Sequence, residues 1–374
     1  MENILDNPKI TVIIPSYNHS NFIGAAINSV LNQTYEHFEL LIVDDASPDN
    51  SVEIIEQFKD KRIRFIKFEE NKGAVYTLNY AINNSRGEYI ALLNSDDYWE
   101  KDKLRLQAEV LECHKHIGAV FTDAKFIDES GTVLSKKDYF WADTFEQENR
   151  TKGKWLRRFF FELNCLCHPS ILIRKSIYEK TNLYDSTFRQ LPDFKMWTEI
   201  LKFTEIHIIQ KKLVVFRILS NNKNTSANTA ANRIRNKNEI YLIMSNFFES
   251  MDKETFIDGF SDLFTKKGEL TDDELLCEKA FMYLKTSFEI SFIYKLIGIE
   301  KLHKLINNES TRKVLNESYH YDENSFFELT GTLDIVESSQ NTIPQAIVDN
   351  TRKQLEQNTR LYSFIRVLYQ KIKK

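Results

Sequence analysis

Short apolar runs alternate with segments of helical periodicity through the first half of the chain, and this alternation restricts the fold more than any other feature. Apolar runs bounded by turn residues predict buried strands, whereas apolar residues at helical spacing predict amphipathic helices. The predicted strands are Ile10–Ile14, Leu40–Val43, Ile63–Phe68, Tyr89–Leu93, Gly118–Phe121, Ser170–Arg174 and Ile206–Phe216. The predicted helices are Phe22–Leu31, Val52–Phe58, Ala74–Ile82, Lys103–Cys113 and Phe194–Phe203. Because strands separated by helices form βαβ units, we expect an α/β fold with a largely parallel sheet flanked by helices.

The second half of the chain has a different pattern. A polar segment rich in Asn, Ser and Thr, at residues 220–231, ends the alternation, whereas residues 123–164 show no readable pattern. Beyond the polar segment, helical spacing recurs at Ile234–Phe248, Lys253–Phe264 and Asp272–Phe288. Since 374 residues suit two domains, we place an α/β domain at residues 1–225 and a helical domain at residues 226–374.

Composition excludes several classes of function. A net charge of -4 argues against a nucleic-acid-binding protein, which normally carries a basic excess. The four cysteines form neither a disulfide framework nor a zinc motif, so we expect reduced thiols. No apolar run approaches the about 20 residues that span a bilayer, and residues 1–9 lack the pattern of a secretory signal. A cytoplasmic protein is therefore expected.

Polar residues follow three of the predicted strands at the points where the strands end. They lie at residues 15–18, 44–47 and 94–97, and the last two groups each contain two adjacent aspartates. Ligands of open parallel sheets bind beyond the carboxyl ends of the strands. An acidic cluster there can hold Mg²⁺ or Mn²⁺, which shares its remaining positions with substrate phosphates. Helix capping accounts equally well for any one of these aspartates taken alone.

Glycine-rich phosphate motifs are missing from the sequence. Neither the G-x-x-x-x-G-K-[ST] loop of nucleotide hydrolases nor the G-x-G-x-x-G turn of dinucleotide-binding proteins occurs in the chain. The simplest hydrolase and dehydrogenase interpretations are thereby excluded.

Three stretches of the chain resemble, in family order, the inverting family 2 glycosyltransferases with the GT-A fold. They are Thr11–Ser51, Asn71–Trp99 and His168–Trp197, and together they span roughly the first 220 residues. The resemblance implies transfer of a sugar from a nucleotide-diphosphate sugar, expected to be a UDP-sugar, onto a glycan or lipid-linked acceptor with inversion. It also implies Mn²⁺ or Mg²⁺ as cofactor and a role in bacterial surface-polysaccharide or glycoconjugate synthesis. The lack of a Q-x-x-R-W segment argues against the processive branch.

The resemblance assigns roles to individual residues. Those implied for the nucleotide are Pro15, Tyr17, Asp45, Asn71, Gly73 and Asp96. Asp97, with Asp96, matches the metal-binding end of the family's D-x-D-D segment, and Asp193 matches the general base. Arg217 is implied for the diphosphate, because a guanidinium suits phosphate oxygens. His168 is a candidate contact for the acceptor, although a lone histidine is more often structural.

Four positions depart from the family pattern. Asn94 replaces an acidic residue, Pro192 replaces the glutamate before the expected base, and Leu78 replaces a frequent arginine. The later Arg-x-His segment retains Arg217 but lacks its histidine. These departures concern metal and phosphate binding, and they leave the fold assignment unaffected.

Two other functions fit parts of the pattern. A sugar nucleotidyltransferase also combines an α/β sheet with a divalent metal, but it ordinarily has a glycine-rich basic loop after its first strand. A catalytically degenerate transferase domain, kept as a scaffold, would agree with Asn94, Leu78 and the missing histidine. The retained aspartates at positions 45, 96, 97 and 193 argue against it.

The end of the chain, Arg352–Lys374, combines seven basic residues with one acidic residue and apolar residues at helical spacing. Such a segment suits a helix lying on an anionic membrane surface. A terminal helix packed on its own domain has the same pattern. We favour the membrane interpretation, which would place the protein at the inner face of the plasma membrane.

Overall fold

The computed structural model describes residues 8–334, apart from residues 140, 221–223, 225–226, 228 and 289. The basic segment Arg352–Lys374 lies outside the described residues. The chain divides into two compact units, Met1–Leu263 and Phe264–Lys374. All four cysteines are free thiols.

The first unit is built on a nine-stranded sheet. Its strands are β1 (Ile10–Ser16), β2 (Phe38–Asp44), β3 (Ile63–Lys67), β4 (Tyr89–Leu92), β5 (Tyr98–Trp99), β6 (Ile117–Ile127), β7 (Val133–Leu134), β8 (Leu172–Arg174) and β9 (Glu205–Arg217). The spatial order is β3-β2-β1-β4-β8-β6-β9-β5, with β7 paired to β6. Strands β1 to β4 are mutually parallel. Apart from Pro15, the apolar residues of β1, β2 and β4 are buried on both faces of the sheet, as expected for parallel strands, whereas those of the edge strand β3 are only partly buried.

The helices flank this sheet. They are α1 (Ile23–Leu31), α2 (Ser51–Gln57), α3 (Ala74–Asn83), α4 (Lys103–Cys113), α5 (Lys152–Glu162), α6 (Lys175–Thr181) and α7 (Pro192–Ile200). The main core includes apolar residues of α1 and α4 packed against β1, β2 and β4. The predicted α/β fold is thus confirmed, and every predicted strand and helix of this part of the chain is present. Strand β6 continues to Ile127, well past the predicted end at Phe121. The prediction ended too early because polar residues after Phe121 conceal the strand pattern.

Strand direction differs from the expectation in one half of the sheet. Strand β8 runs antiparallel to both β4 and β6, and β5 runs antiparallel to β9. Strands β6 and β9 are parallel, with register shifts around Asp123. The sheet is therefore mixed. An apolar run reports burial and carries no information on direction, so the sequence pattern could not reveal this.

Two further helices, α8 (Ala230–Ser245) and α9 (Lys253–Phe260), pack within the first unit. The ring of Phe160 on α5 lies 5.3 Å from that of Phe247 and 5.8 Å from that of Phe260. Helices α5 and α9 also approach closely at Gly153 and Gly259. Because this aromatic contact joins residues 230–260 to α5, the boundary expected at residues 225/226 lies inside the first compact unit.

The second unit is helical where it is described. Its helices are α10 (Asp272–Leu284), α11 (Ser291–Ile306), α12 (Glu309–Tyr319) and α13 (Glu323–Thr332). A capping box between Thr271 and Glu274 begins α10. The buried core contains Cys277, Ala280, Leu302, Ile306 and Leu315. Within residues 8–334, as far as they are described, no helix has the length and apolarity needed to cross a bilayer.

Candidate active site

The ends of β1 and β2 are joined by a buried carboxylate. Asp44 accepts hydrogen bonds from the hydroxyls of Ser16 at 2.9 Å and Ser47 at 2.6 Å. The Ser47 hydroxyl also accepts from the backbone N–H of Asn18 at 2.9 Å. Asn18 and Ala46 have φ angles of 55° and 58°, in the left-handed region that non-glycine residues rarely adopt. Asp44 thus shapes two strained loops at the ligand-binding edge, and its role is structural.

Two of the residues expected at the nucleobase lie on the first of these loops. Pro15 is partly buried in β1, whereas 45% of the Tyr17 surface is exposed. An exposed aromatic ring at the end of a parallel strand can stack on a flat ligand such as a base.

Asp45, Asn71 and Gly73 come together, as the sequence predicts. The carboxylate of Asp45 is buried and accepts hydrogen bonds from the backbone N–H groups of Lys72 at 2.7 Å and Gly73 at 2.8 Å. The Asn71 side chain donates to the carbonyl of Asp45 at 3.2 Å. Gly73, with a φ of 91°, precedes α3 and permits this turn. Each carboxylate oxygen of Asp45 keeps a second lone pair for a ligand donor.

The acidic pair Asp96–Asp97 follows β4 and is buried. The Asp97 carboxylate accepts from the Arg217 backbone N–H at 2.7 Å and from the Asn94 side chain at 2.9 Å. Burial raises the pKa of Asp97 well above its ordinary value, and the charge of Asp96 raises it further. Burial likewise raises the pKa of Asp96, although the nearby charges of His19 and Arg217 oppose this. When both buried carboxylates are ionised, the positive charges around them do not fully compensate their two negative charges.

This pair fits a divalent cation. Among the described residues no side chain donates a hydrogen bond to the carboxylate of Asp96, whereas Asp97 is anchored by the backbone of β9. Magnesium-type sites commonly use one or two carboxylates and take their other ligands from water and phosphate. No group of three His, Cys, Asp or Glu side chains suited to a metal occurs in the described part of the chain.

Arg217 fastens the end of β9 to the acidic pair. Its Nε donates to the carbonyl of Asp96 at 3.0 Å, and a terminal nitrogen donates to the carbonyls of Asp128 and Glu129 at 3.2 and 3.1 Å. The guanidinium lies 4.8 Å from the ring centre of Phe22. Arg217 therefore supplies a fixed positive charge beside Asp96 and Asp97, and its expected contact with a diphosphate stays a prediction.

His19 was not anticipated from the sequence. Its Nδ1 lies 2.7 Å from the hydroxyl of Ser95, and its backbone N–H donates to the hydroxyl of Ser51 at 3.2 Å. A positive charge on His19 lowers the pKa of Asp96, whose burial has the larger, opposite effect. The only signal in the sequence is its position in the loop after β1, next to Asn18.

Asp193, the expected base, lies in the first turn of α7. One of its oxygens accepts from the backbone N–H of Phe194 at 2.8 Å, and the other accepts from the side-chain amide of Asn164 at 2.9 Å. Burial raises the pKa of Asp193 to about 6, while these two hydrogen bonds oppose the rise. A carboxylate with this pKa is ionised at neutral pH, yet it is more basic than an ordinary aspartate.

Two residues from distant parts of the chain, Asn164 and Glu239, hold Asp193 and the turn before it in place. Asn164 follows Leu163, whose φ of 64° is unfavourable for a branched residue. Glu239 on α8 accepts hydrogen bonds from the backbone N–H groups of residues 189–191, directly before α7. Neither contact has a local sequence signal, because each joins residues that only the fold brings together. Pro192 is the first residue of α7, a position that proline favours.

His168 belongs to a group of aromatic residues. Its Nε2 lies 3.2 Å from the hydroxyl of Tyr184, and burial lowers the pKa of His168 to about 4. The backbone of Tyr184 is held by both polar atoms of the Asn79 side chain, at 2.7 and 3.0 Å. His168 is thus neutral at neutral pH, and its contact with an acceptor stays a prediction. Leu78, beside Asn79, is buried in the core, which suits its replacement of an arginine.

Cys167 lies near both acidic centres. Burial raises the pKa of its thiol well above the ordinary value, and the negative charges of Asp97 and Asp193 raise it further. The negative charges of Asp97 and Asp193 thus both act on the buried thiol of Cys167.

The sequence is similar to those of known glycosyltransferases. The family model described as Glycosyl transferase family 2 matches residues 11–181. An uncharacterized glycosyltransferase of Methanocaldococcus jannaschii is 33% identical over 220 residues, covering 57% of this chain and 72% of the relative. TuaG of Bacillus subtilis, provisionally named a teichuronic acid biosynthesis glycosyltransferase, is 40% identical over 131 residues. That match covers 34% of this chain and 52% of TuaG.

A solved structure shares the fold. S. aureus TarS 1–349, in complex with UDP-GlcNAc, superimposes with a TM-score of 0.55 and 18% identity. The match covers 89% of this chain and 91% of the TarS chain. The likeness to TarS shows the GT-A fold. The sequence identity with the Methanocaldococcus protein extends over most of that protein's length and shows the family. The chain belongs to glycosyltransferase family 2.

Proposed function

We propose that this glycosyltransferase moves a sugar from a UDP-sugar to a hydroxyl of a glycan or lipid-linked acceptor, with inversion at the sugar. The observation that carries the proposal is the carboxylate of Asp193 in the first turn of α7, which Phe194 and Asn164 orient by hydrogen bonds and whose pKa is raised to about 6. TarS is solved with UDP-GlcNAc, which supports a uridine nucleotide. The name of TuaG supports a product in cell-surface polysaccharide or glycoconjugate synthesis.

The nucleotide binds at the carboxyl ends of β1, β2 and β4. Tyr17 stacks on the base from its exposed position, with Pro15 beside it. Asp45, oriented by the N–H groups of Lys72 and Gly73, accepts a hydrogen bond from the base N–H. The loop that carries Asn71 and Gly73 closes this side of the nucleotide, and Asp96 reaches its ribose.

Mn²⁺ or Mg²⁺ is the proposed cofactor, held by Asp96 and Asp97 together with the diphosphate. When bound, the cation stabilises the negative charge that grows on the departing UDP. Arg217 adds a fixed positive charge beside the two carboxylates. The hydrogen bond from its Nε to the Asp96 carbonyl keeps the acidic turn in place.

Asp193 acts as the general base. The acceptor hydroxyl gives its proton to the Asp193 carboxylate while its oxygen forms a bond to C1 of the sugar. The bond from C1 to the phosphate oxygen breaks on the opposite face, and UDP leaves with the bonding electrons. Attack and departure on opposite faces invert the configuration at C1. His168, neutral beside Tyr184, is a candidate hydrogen-bonding contact for the acceptor.

The site of action is proposed to be the inner face of the plasma membrane. The basic segment Arg352–Lys374 supports this, because clustered Lys and Arg residues are attracted to anionic lipids. A lipid-linked acceptor would be met at the same surface.

A donor screen tests the proposed function. The thermal shift of the folded protein is measured with Mn²⁺ across the common sugar nucleotides, and the reaction product is then identified. A UDP-sugar should stabilise the protein, and turnover should release UDP. Release of pyrophosphate would identify a nucleotidyltransferase. A folded protein that binds no uridine nucleotide in the presence of metal contradicts the proposal.

A further inference from the structure

Three consecutive backbone N–H groups converge on one side chain, that of Glu239 on α8. Arg189 donates to Oε1 at 2.9 Å, while Gln190 and Leu191 donate to Oε2 at 2.9 and 2.7 Å. The Glu239 side chain is only 5% exposed. A buried carboxylate that accepts several N–H groups forms strong, charge-assisted hydrogen bonds.

These donors lie at the entrance of α7. The residue before the helix, Leu191, makes no capping hydrogen bond through its side chain. The first N–H groups of a helix have no partners within the helix, so they and the turn before them need acceptors from elsewhere. Glu239 supplies acceptors to the preceding turn from a helix almost fifty residues later. Helix α7 begins at Pro192, directly after these donors, and Asp193 lies in its first turn.

The same layer of helices supports Asp193 from a second direction. Residues that follow α8 pack on α5, where the ring of Phe160 lies 5.0 Å from that of Phe248. Helix α5 ends at Glu162, and Asn164, two residues later, donates to the Asp193 carboxylate at 2.9 Å. The carboxylate and the turn before it are therefore both fixed by the layer formed by α5 and α8.

We propose that Glu239 is a positioning residue that holds Asp193 in its catalytic orientation by fixing the turn at residues 189–191. The inference rests on the proposed role of Asp193 as general base, and it adds α8 to the catalytic apparatus. Glu239 acts through the backbone of this turn, and its negative charge also raises the pKa of Asp193.

Replacement of Glu239 by Gln tests this with little change in size. Gln offers one carbonyl oxygen, and its NH₂ group then faces backbone donors, so at least one hydrogen bond is lost. A displacement of about 1 Å can reduce turnover by about 10²-fold. We therefore expect Glu239→Gln to lower kcat by about 10- to 100-fold, with Glu239→Ala lower still. The donor KM and the affinity for UDP should be unchanged, because Glu239 bonds to residues 189–191 and not to the loops after β1, β2 and β4 that are proposed to bind the nucleotide.

Glu278 on α10 provides a matched control. It is a fully buried helical glutamate that accepts from two consecutive backbone N–H groups, those of Thr265 at 2.9 Å and Lys266 at 2.8 Å. Glu278→Gln should lower the melting temperature while kcat stays at the wild-type value. A loss of kcat in Glu239→Gln no greater than that in Glu278→Gln overturns the proposal.

The double variant with Asp193→Asn separates positioning from other effects. If Glu239 acts through the Asp193 carboxylate, Glu239→Gln should reduce turnover little further in the Asp193→Asn background. A full additional reduction in that background contradicts the proposal. An Asp193→Asn variant with wild-type turnover would refute the base assignment on its own, independently of Glu239.

Hydrogen exchange gives a readout that needs no turnover. Glu239→Gln should accelerate exchange of the amides at residues 189–191 and also that of Phe194, which donates to Asp193. If the amides of the turn exchange faster while that of Phe194 is unaffected, the turn does not govern Asp193. This result would overturn the inference even if the donor remained unidentified.

Discussion

The side-chain amide of Asn94 donates a hydrogen bond to the Asp97 carboxylate across 2.9 Å. The family usually has an aspartate at the position of Asn94, and here the amide turns a carboxylate–carboxylate contact into a hydrogen bond. Asp97 is buried, its pKa is raised by burial and by Asp96, and the Asn94 amide opposes that rise. The substitution therefore stabilises the acidic pair when no cation is bound.

Restoring the acidic residue should reverse this effect. Asn94→Asp places a third carboxylate against Asp97, and we expect the free energy of unfolding at neutral pH to fall by about 1–3 kcal/mol in EDTA. Adding Mn²⁺ should recover most of the loss, because a cation compensates the added charge. Thermal melts with and without metal measure both effects. Asn94→Ala, which removes the hydrogen bond without adding charge, is the control; equal stability of Asn94→Asp and wild type in EDTA would contradict the account.

The two acidic centres of the nucleotide site should differ in their dependence on metal. Asp97→Ala should weaken UDP binding mainly in the presence of Mn²⁺, since Asp97 belongs to the proposed cation site. Asp45→Ala should weaken it with or without metal, because it removes the proposed base contact and the acceptor for the N–H groups of Lys72 and Gly73. Calorimetric titrations with UDP distinguish the two. If Asp97→Ala weakens UDP binding as much in EDTA as in Mn²⁺, Asp97 is not a metal ligand.

Asp193→Asn should abolish most turnover without affecting the nucleotide. Asn keeps the shape of the side chain but cannot take a proton, and its single side-chain oxygen can accept only one of the two hydrogen bonds that Phe194 and Asn164 donate. We expect kcat to fall by about 10²–10⁴-fold, with UDP affinity almost intact. Turnover in the wild type should fall as pH drops below about 6, the pKa of Asp193. Wild-type turnover in Asp193→Asn would direct the search for the base to His168.

The raised pKa of Asp193 also predicts an effect on stability. The folded state holds the proton to about pH 6, whereas an unfolded aspartate releases it near pH 4. The carboxylate therefore costs stability progressively as pH rises through this window, and the cost persists above it. Between pH 4 and pH 8 the unfolding free energy of Asp193→Asn should therefore rise by about 1–3 kcal/mol relative to that of the wild type, while the hydrogen bond that the variant loses shifts the comparison equally at both pH values. Denaturant titrations at the two pH values provide the comparison.

The close approach of α5 and α9 should tolerate no side chain. A Cβ at Gly259 would lie 2.4 Å from the carbonyl oxygen of Gly153, which cannot move without shifting α5. We expect Gly259→Ala to lower the free energy of unfolding by about 1–3 kcal/mol. Gly331→Ala on α13 is the matched control, since nothing lies within 4 Å of its Cβ and alanine favours helix. Equal melting temperatures for the two variants would contradict this packing.

Deletion of residues 360–374 tests the membrane interpretation. The truncated protein should sediment less with anionic vesicles while its turnover of a soluble acceptor analogue stays nearly unchanged. Each basic residue near the surface contributes about 1 kcal/mol, so sedimentation of the full chain should weaken steeply with salt. If both proteins sediment equally, the segment is packed structure.

The sequence alone predicts most elements of the first unit, although it misses β5, β7, α5 and α6. Runs such as Leu40–Val43 are apolar enough to define buried strands, and their ends carry the aspartates that define the nucleotide edge. The grouping of Asp45 with the loop of Asn71 and Gly73 was implied by the family resemblance, which assigns all three residues to the nucleotide. The family assignment likewise follows from contiguous motifs.

The tertiary structure decided what surrounds these residues. His19, Asn164 and Glu239 reach the site through contacts that span 29 to 76 positions in the chain, beyond the range of any local pattern. The direction of β8 and the attachment of α8 and α9 to the first unit were also set by packing, through close aromatic and glycine contacts. Local periodicity records which face of an element is buried, whereas the partner buried against that face depends on the fold as a whole.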